Sequence, residues 1–555
     1  MENETCLVGI DFGTTYCCVA VWKEGGLVII PNGVGERTTP SVVIFDDEDK
    51  IFVGEETLYH LPKNDTVKIY EIKRFIGKKY DAIEDLLDYF PYKIIKEKNG
   101  DRPKIQMTFG KKTVEYYAEE IATLIFRKLI SSAQAFLGKE IKDVLITFPA
   151  DFSEAQKNAV RFSAEKVPGV KVLQVLNEPS AAVLAYGFPR QLLKNKFFPF
   201  NRHFTLMKSK NEEAHPMEDV QEVNSTDASF DLISNDTIEA NETMCLINCS
   251  LLSNQTKQTT KIIVFDLGGG TYDVSLIYSF KGKIFEAMAY SGDQRLGGSD
   301  FDNKLIDYSL KDFCTKNKYD EKNLRKDYKL MQRLKRACEE TKKYLSDKVE
   351  DNILIEDFYE SKPLCCHITR AKFEELCKDL FLKLENPLDL ILQEKHLNNT
   401  DIDEIVFVGG SSKIPKVKQI ILKKFPNVKI NDQISPDEAV AFGASIHAES
   451  LRRIREDFWK DFNYIDKTGH SIGIEAADGS MEVIIPKGVR YPTSRFKFFT
   501  NEYDDQYTFD IKVYEGENKY VLGNELIGEF TLENIPKKPK GQLILKVTIK
   551  IEKNQ

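Results

Sequence analysis

Two stretches of this 555-residue chain constrain its fold more than any others. They run Leu7-Val8-Gly9-Ile10-Asp11-Phe12-Gly13-Thr14-Thr15-Tyr16 and Ile262-Ile263-Val264-Phe265-Asp266-Leu267-Gly268-Gly269-Gly270-Thr271-Tyr272-Asp273. Each is an apolar strand, an aspartate, glycine, threonine and a second strand. Runs of Val, Ile and Phe on both sides read as buried strands. The glycines let backbone N–H groups approach an anion closely. The aspartates can hold a divalent cation through water, and the threonines offer hydroxyls. One such turn alone could be an empty glycine hairpin. Two of them, far apart in the chain, imply two related halves that grip one polyphosphate from opposite sides. Neither is a Walker loop or a dinucleotide fingerprint, because G-x-x-x-x-G-K-[ST] and G-x-G-x-x-G are both absent.

The segments around them alternate between strand and helix. Tyr117 to Leu137 is an amphipathic helix stopped by Gly138. Asp143 to Phe148 is a strand, and Ser153-Glu154-Ala155-Gln156 is a capping box opening the next helix. Val170 to Leu176 is a strand that ends at Asn177-Glu178-Pro179-Ser180, followed by a helical run to Tyr186. Such alternation implies an α/β domain. Gly297-Gly298 leads into a helix whose N-terminus is a further phosphate candidate. Leu330, Leu334, Ala337, Thr341 and Leu345 form a helical stripe, with Glu339, Lys342, Lys343 and Ser346 on the other surface. Gly409-Gly410-Ser411-Ser412-Lys413 is a turn between strand and helix, and Pro436 to Ala444 reads as a Pro-led helix. From about residue 469 the pattern changes. Phe509, Ile511 and Val513, then Leu543, Leu545, Val547, Ile549 and Ile551, alternate with polar residues as in a half-buried antiparallel sheet. The boundary falls in Arg455 to Lys467.

Residues 189–258 break the pattern and read as an inserted, largely disordered loop. Their sequons (Asn224, Asn235, Asn241, Asn248, Asn254) follow from an Asn/Ser/Thr-rich composition rather than from glycosylation. A net charge of -9 excludes a broad nucleic-acid-binding surface. No apolar run is long enough to span a membrane, and the acidic N-terminus lacks the apolar core of a signal peptide. The C-terminus carries no retention or prenylation signal. Ten scattered cysteines look like small buried hydrophobes of a reducing compartment, which points to the cytosol. Cys245 and Cys249 have no second pair, and the seven histidines form no zinc motif.

Together the motifs resemble the 70-kDa heat-shock chaperone family and, through it, the actin and sugar-kinase ATPase superfamily. The matching residues are Gly9 to Thr15, Lys73-Arg74-Phe75-Ile76-Gly77, Asn177 to Ala182, Asp266 to Asp273, Gly409 to Pro415 and Pro436 to Gly443. The resemblance implies an actin-like two-lobed ATPase domain with duplicated ribonuclease-H-like halves over residues 1–454. A linker at 455–467 and a truncated antiparallel β-sandwich at 468–555 would follow. It implies ATP and ADP as ligands and Mg²⁺ held through water by Asp11, Asp266, Glu178 and Asp273. Gly13, Thr14, Thr15, Gly268 to Gly270, Thr271, Gly297 and Gly298 would serve the phosphates, and Lys73 would reach the γ-phosphate. Glu339, Lys342, Lys343 and Ser346 would meet adenosine, with Gly409, Gly410, Ser411, Lys413 and Asp437 on the other side. The implied partners are unfolded or nascent polypeptides, a J-domain co-chaperone, a nucleotide exchange factor and the ribosome.

Three departures shape the expected function. The chain ends after Leu543 to Ile551, where the family continues into another strand and a helical lid. The linker Asp461-Phe462-Asn463-Tyr464-Ile465-Asp466 has Asn463 within its apolar run. Gln174 stands where the family often carries a basic residue implicated in J-domain coupling. In the β-domain Met481 matches an arch residue, and Phe509 replaces a smaller pocket residue. Lidless members include the ribosome-associated atypical subgroup. The expected function is therefore an ATP-dependent chaperone, with a ribosome-associated ATP-binding co-chaperone or scaffold as the alternative. A metabolite kinase of the same superfamily leaves the C-terminal sheet without a role.

Overall fold

The computed structural model describes residues 7–552, apart from 24–25, 47–49, 60–65, 91, 110–111, 189–258, 432, 454–462 and 534. The expected insertion, its sequons, Cys245 and Cys249 all lie outside the described residues. Two sheets organise the first part. In one, the strand order is Lys171–Asn177, Asp143–Phe148, Leu7–Asp11, Tyr16–Lys23 and Gly26–Ile29. In the other it is Lys429–Asn431, Glu404–Val408, Thr259–Leu267, Tyr272–Phe280 and Ile284–Asp293. Each has three antiparallel strands flanked by two parallel ones, in the same order. The two Asp-x-Gly hairpins are the first and second strands of their sheets. Asp11 pairs with Cys18, and Asp266 with Asp273. The two halves are therefore structural duplicates, as the paired hairpins imply.

Helices cover both faces of these sheets, so consecutive residues of the central strands are buried on either side. This is why the adjacent Cys17 and Cys18 are both buried, whereas on the more open Lys362–Thr369 strand Cys365 is exposed and Cys366 buried. The helix Ala118–Leu137 ends at Gly138 in left-handed conformation, and Ser153 caps Glu154–Glu165 through its hydroxyl. Two helices, Glu178–Gly187 and Ala439–Arg452, pack together where the halves meet. A core that includes Leu145, Ala181, Val264, Val406, Val440 and Ile446 joins the lobes there. Pro436 lies before the second of these helices, not at its first turn. The carbonyl of Ser435 first accepts the N–H groups of Glu438 and Ala439, and the helix starts after that turn. No helix among the described residues is long and apolar enough to cross a membrane.

The C-terminal part has a four-stranded antiparallel sheet in the order Met481–Ile485, Ile472–Glu475, Thr508–Glu515 and Glu525–Glu533. A two-stranded ribbon of Thr493–Thr500 and Ile544–Ile551 completes it. Its small core centres on Ile472, Ile474, Ile485, Ile511 and Val547, and Phe509 packs against that cluster. Met481 is buried, its sulfur 3.1 Å from Asn524 Nδ2. Gln174 is buried against His447 of the Ala439–Arg452 helix, 3.1 Å from its Nε2.

Between the two parts, Asn463–Ile465 adds to the second lobe's sheet as a sixth strand, parallel to Ile284–Asp293. Main-chain pairing is indifferent to side chain, so Asn463 does not prevent docking. Tyr464 supplies the buried ring. Asp466 accepts hydrogen bonds from Asn177 Nδ2 at 2.5 Å and from the Tyr290 hydroxyl. Arg490 and Lys467 from the C-terminal side both pair with the buried Glu286, and Glu515 accepts from the Glu154 N–H at 2.8 Å. Burying an aromatic side chain of this kind is worth about 3 kcal/mol. Tyr464→Ala is thus expected to speed proteolytic separation of the two parts about tenfold or more, read by timed digestion.

Candidate functional site

A cavity of about 630 Å³ lies between the lobes. The two hairpin turns meet across it. A Cβ on Gly269 would stand 1.9 Å from Thr15 Oγ1, and one on Gly270 would stand 2.7 Å from Thr14 Cγ2. Only glycine lets the loops come this close, and the turn itself is closed by the Gly268 N–H on the Thr271 carbonyl at 3.0 Å. Gly409, at φ +76°, turns the chain over Leu267, and a Cβ there would lie 2.8 Å from Asp266 Oδ1.

The floor of the cavity is ionic. Lys73, on the 3₁₀ turn Ile72–Arg74, donates to Glu178 Oε1 at 2.6 Å, and both are buried. Glu178 opens the helix Glu178–Gly187. Asp11 ends its strand and Asp266 is the next-to-last residue of its own, both beside this pair. Burial, then the Glu178 charge, pushes the Asp11 carboxyl up to about 7, against Lys73 and a hydrogen bond from Thr147. Burial also pushes Asp266 and Asp273 well up, with the neighbouring carboxylates adding to it. Burial works against the Lys73 charge, but Glu178 and Asp11 outweigh it and raise its pKa. Several carboxylates thus share a single lysine in a place that disfavours their charge. An all-oxygen donor set with surplus negative charge suits a hard divalent cation. The Asp273 Oδ2 atom is buried and has no hydrogen-bond partner. Among the described residues no three acidic, His or Cys side chains stand close enough to chelate a metal directly.

The opposite end suits a nucleoside. Glu339, Lys343 and Ser346 line it from the helix Tyr328–Asp347. Lys343 pairs with Glu339 at 2.6 Å and donates to the Tyr16 hydroxyl at 2.9 Å, and that hydroxyl donates to Glu339 at 3.1 Å. Val408, Ile414 and Val440 make an apolar wall beside Gly410, Ser411 and the Lys413–Asp437 ion pair. Lys342 lines the cavity too, yet its ammonium is committed to the Gly298 carbonyl and to Asp302, both at 2.8 Å. Burial pushes Asp302 up to about 6 although Lys342 opposes this.

Most residues singled out in the sequence line this one cavity: Asp11, Gly13 to Thr15, Lys73, Glu178, Asp266, Gly268, Gly269, Thr271, Gly298, the four on the Glu339 face, Gly409 to Ser411, Lys413 and Asp437. Three stand one layer behind it. Gly270 lies against Thr14 and Arg74, Gly297 against the Gly270 backbone, and Asp273 beside Gly292. The helix N-terminus at Gly297-Gly298 does not offer its first N–H groups to a ligand. Gly298 and Ser299 donate to the carbonyls of Gly268 and Gly269, at 2.9 and 2.8 Å, and Gly297 donates to Asp300. This helix end braces the glycine loop. The sequence reading missed Tyr16 and Asp302. Tyr16 follows the hairpin threonines directly, which was a usable signal. Asp302 had none, because its role depends on Lys342.

A family model described as "Hsp70 protein" matches residues 7–197 and 250–555. The chain is 34% identical over 549 residues to "Heat shock cognate 70 kDa protein 3" of Dictyostelium discoideum, covering 99% of this chain and 76% of that protein. It is also 34% identical over 550 residues to "Heat shock 70 kDa protein" of Neurospora crassa, covering 99% and 74%. The stretch the family model skips falls inside residues 189–258.

Proposed function

Because this chain belongs to the Hsp70 family of ATP-dependent chaperones, we propose that it binds ATP with Mg²⁺ in the interlobe cavity, hydrolyses it, and couples the nucleotide state to a β-domain that handles extended polypeptide. The observation that carries this reading is the convergence of two matched Asp-x-Gly hairpins, from duplicated sheets, on the buried Lys73–Glu178 pair. Thr14, Thr15, Thr271 and the Gly269 backbone hold the β- and γ-phosphates, while Gly268 and Gly270 shape the turn. Lys73 places a cation at the γ-phosphate, and Glu178 orients both that lysine and the attacking water. Asp11, Asp266 and Glu178 would hold Mg²⁺ through water, with Asp273 backing Asp266 from one layer behind, and the metal would supply charge neutralisation at the phosphates. Glu339, Lys343, Ser346 and the Lys413–Asp437 side enclose the adenosine. Lys342 braces that wall through Gly298.

Phosphoryl transfer asks for placement and electrostatics more than covalent chemistry, which is what a rigid floor under two converging loops provides. The partners proposed with this function are unfolded or nascent chains, a J-domain co-chaperone and a nucleotide exchange factor, in the cytosol. The ribosome-associated scaffold is not favoured by relatives named as heat-shock proteins. The test is the affinity for a fluorescent unfolded peptide with ADP and with ATP, run beside single-turnover hydrolysis. ATP should weaken peptide binding at least tenfold, and equal affinity in both states would remove the chaperone reading. Gly269→Val, whose side chain must displace Thr15, is expected to lower ATP affinity about a hundredfold or more, measured by titration calorimetry.

A further inference from the structure

Glu71 does not line the cavity, yet its setting is not that of an ordinary surface acid. It is buried and holds left-handed backbone, φ 57° and ψ 26°, a conformation that residues other than glycine avoid. It directly precedes the turn Ile72–Arg74 that carries Lys73. One carboxylate oxygen accepts hydrogen bonds from Ser299 Oγ at 2.7 Å and from Lys335 Nζ. The other lies 3.1 Å from Arg74 Nε. Ser299 and Lys335 belong to the opposite lobe, on the helices Gly298–Asn317 and Tyr328–Asp347. At the far end of the turn, Arg74 reaches Asp300 of the first helix at 3.0 Å.

Both ends of the Lys73 turn are therefore tied to one helix end across the cleft. That same helix end holds the glycine loop, through the Ser299 N–H on the Gly269 carbonyl. Burial pushes the Glu71 carboxyl up, but Lys335 and Arg74 outweigh it and hold it at about 2, so it is ionised at any working pH. The bland alternative is an ionic knot that only stabilises the fold. Buried ionic groups are poor stabilisers, because desolvation offsets their attraction. The left-handed backbone at Glu71 adds a further cost. Such costs are met where geometry is needed.

We propose that Glu71 is a positioning residue: by accepting Ser299 and Lys335 from one lobe and pairing with Arg74 on its own, it fixes Lys73 relative to the Gly268–Gly270 loop. The inference rests on the hydrolysis reading above. Lys73 comes from one lobe and the loop from the other, so their spacing is set by whatever bridges the cleft. Transfer chemistry is sensitive to displacements of about 1 Å. Glu71→Gln keeps the shape and an acceptor for Ser299 but removes the charge. Lys335→Met keeps a stem over the Tyr70 ring, where the ammonium lies 4.2 Å from the centroid.

The experiment is single-turnover ATP hydrolysis at saturating ATP, with ATP affinity and thermal midpoint measured on the same preparations. For Glu71→Gln and Lys335→Met the rate should fall about tenfold to thirtyfold, with affinity within about twofold and both variants folded. The double variant should lose little more than either single one, because both act through one pair. A Glu71→Gln rate within twofold of wild type, a loss confined to affinity, or additive losses in the double variant would each overturn the proposal alone. A wild type that binds ATP without hydrolysing it would instead overturn the reading beneath it.

Discussion

Lys73→Ala should lower single-turnover ATP hydrolysis by about a hundredfold to a thousandfold, the scale seen when a placed electrostatic group is removed from a buried site. The effect has two sources. The ammonium proposed to face the transferring phosphoryl group is lost. The Glu178 carboxylate, bonded to Lys73 at 2.6 Å, is left beside Asp11 and Asp266 with no cation. Removing one partner of a buried pair is strongly unfavourable, about 3–5 kcal/mol, unless the remaining charge is neutralised. The variant should therefore unfold at lower temperature in the absence of ligand and recover part of the difference when Mg²⁺ is added. Binding of ATP should persist, because adenosine and the phosphate loops are held by other groups. Rapid-quench measurement of labelled phosphate release decides the first point. A loss below tenfold would place the chemistry elsewhere than on Lys73.

Gly443→Ala should be among the most damaging single-methyl changes in the chain. A Cβ at this position would lie 1.6 Å from the Ala181 carbonyl oxygen and 2.2 Å from its carbon. Backbone cannot step aside as a side-chain tip can, so the helices Ala439–Arg452 and Glu178–Gly187 must separate. Overpacking of this severity costs about 3 kcal/mol or more, and in a unit of this size the thermal midpoint should drop by about 4 °C or more. The same movement shifts Glu178, which opens one of these helices, so hydrolysis should weaken beyond what stability explains. Gly528→Ala, with open space around the added carbon, is the control expected to change little. Scanning calorimetry of both variants is the measurement, and equal midpoints would refute the steric argument.

The parts of the molecule that were legible in the sequence are those whose chemistry is local. The Asp-x-Gly turns, the Ser153 capping box and the Gly138 stop depend on neighbours within a few residues, and the structure has them where the sequence puts them. The order of strands in the second sheet was not legible, because Glu404–Val408 joins Thr259–Leu267 across a long stretch of chain. Lys73 and the Glu339 face carried no local signal of function and were reached through the resemblance alone. Lys342 and Gly297 show the limit of that route. A residue can sit at the expected place while its polar atoms are spent on Gly298, Asp302 or Asp300. The Glu71 knot is less legible still, since its partners come from three separate segments and its backbone conformation cannot be inferred from residue type.

The sixth strand of the second sheet has a consequence for behaviour in solution. Asn463–Ile465 covers the start of Ile284–Asp293, which would otherwise be the sheet's open border with main-chain donors and acceptors bared to water. Uncovered borders of this kind recruit any passing strand, including the same border on a second molecule. Conditions that release the C-terminal part thus also expose an adhesive strip, and colloidal stability becomes tied to domain arrangement. Light scattering at rising protein concentration should show self-association first in the preparations whose linker is free.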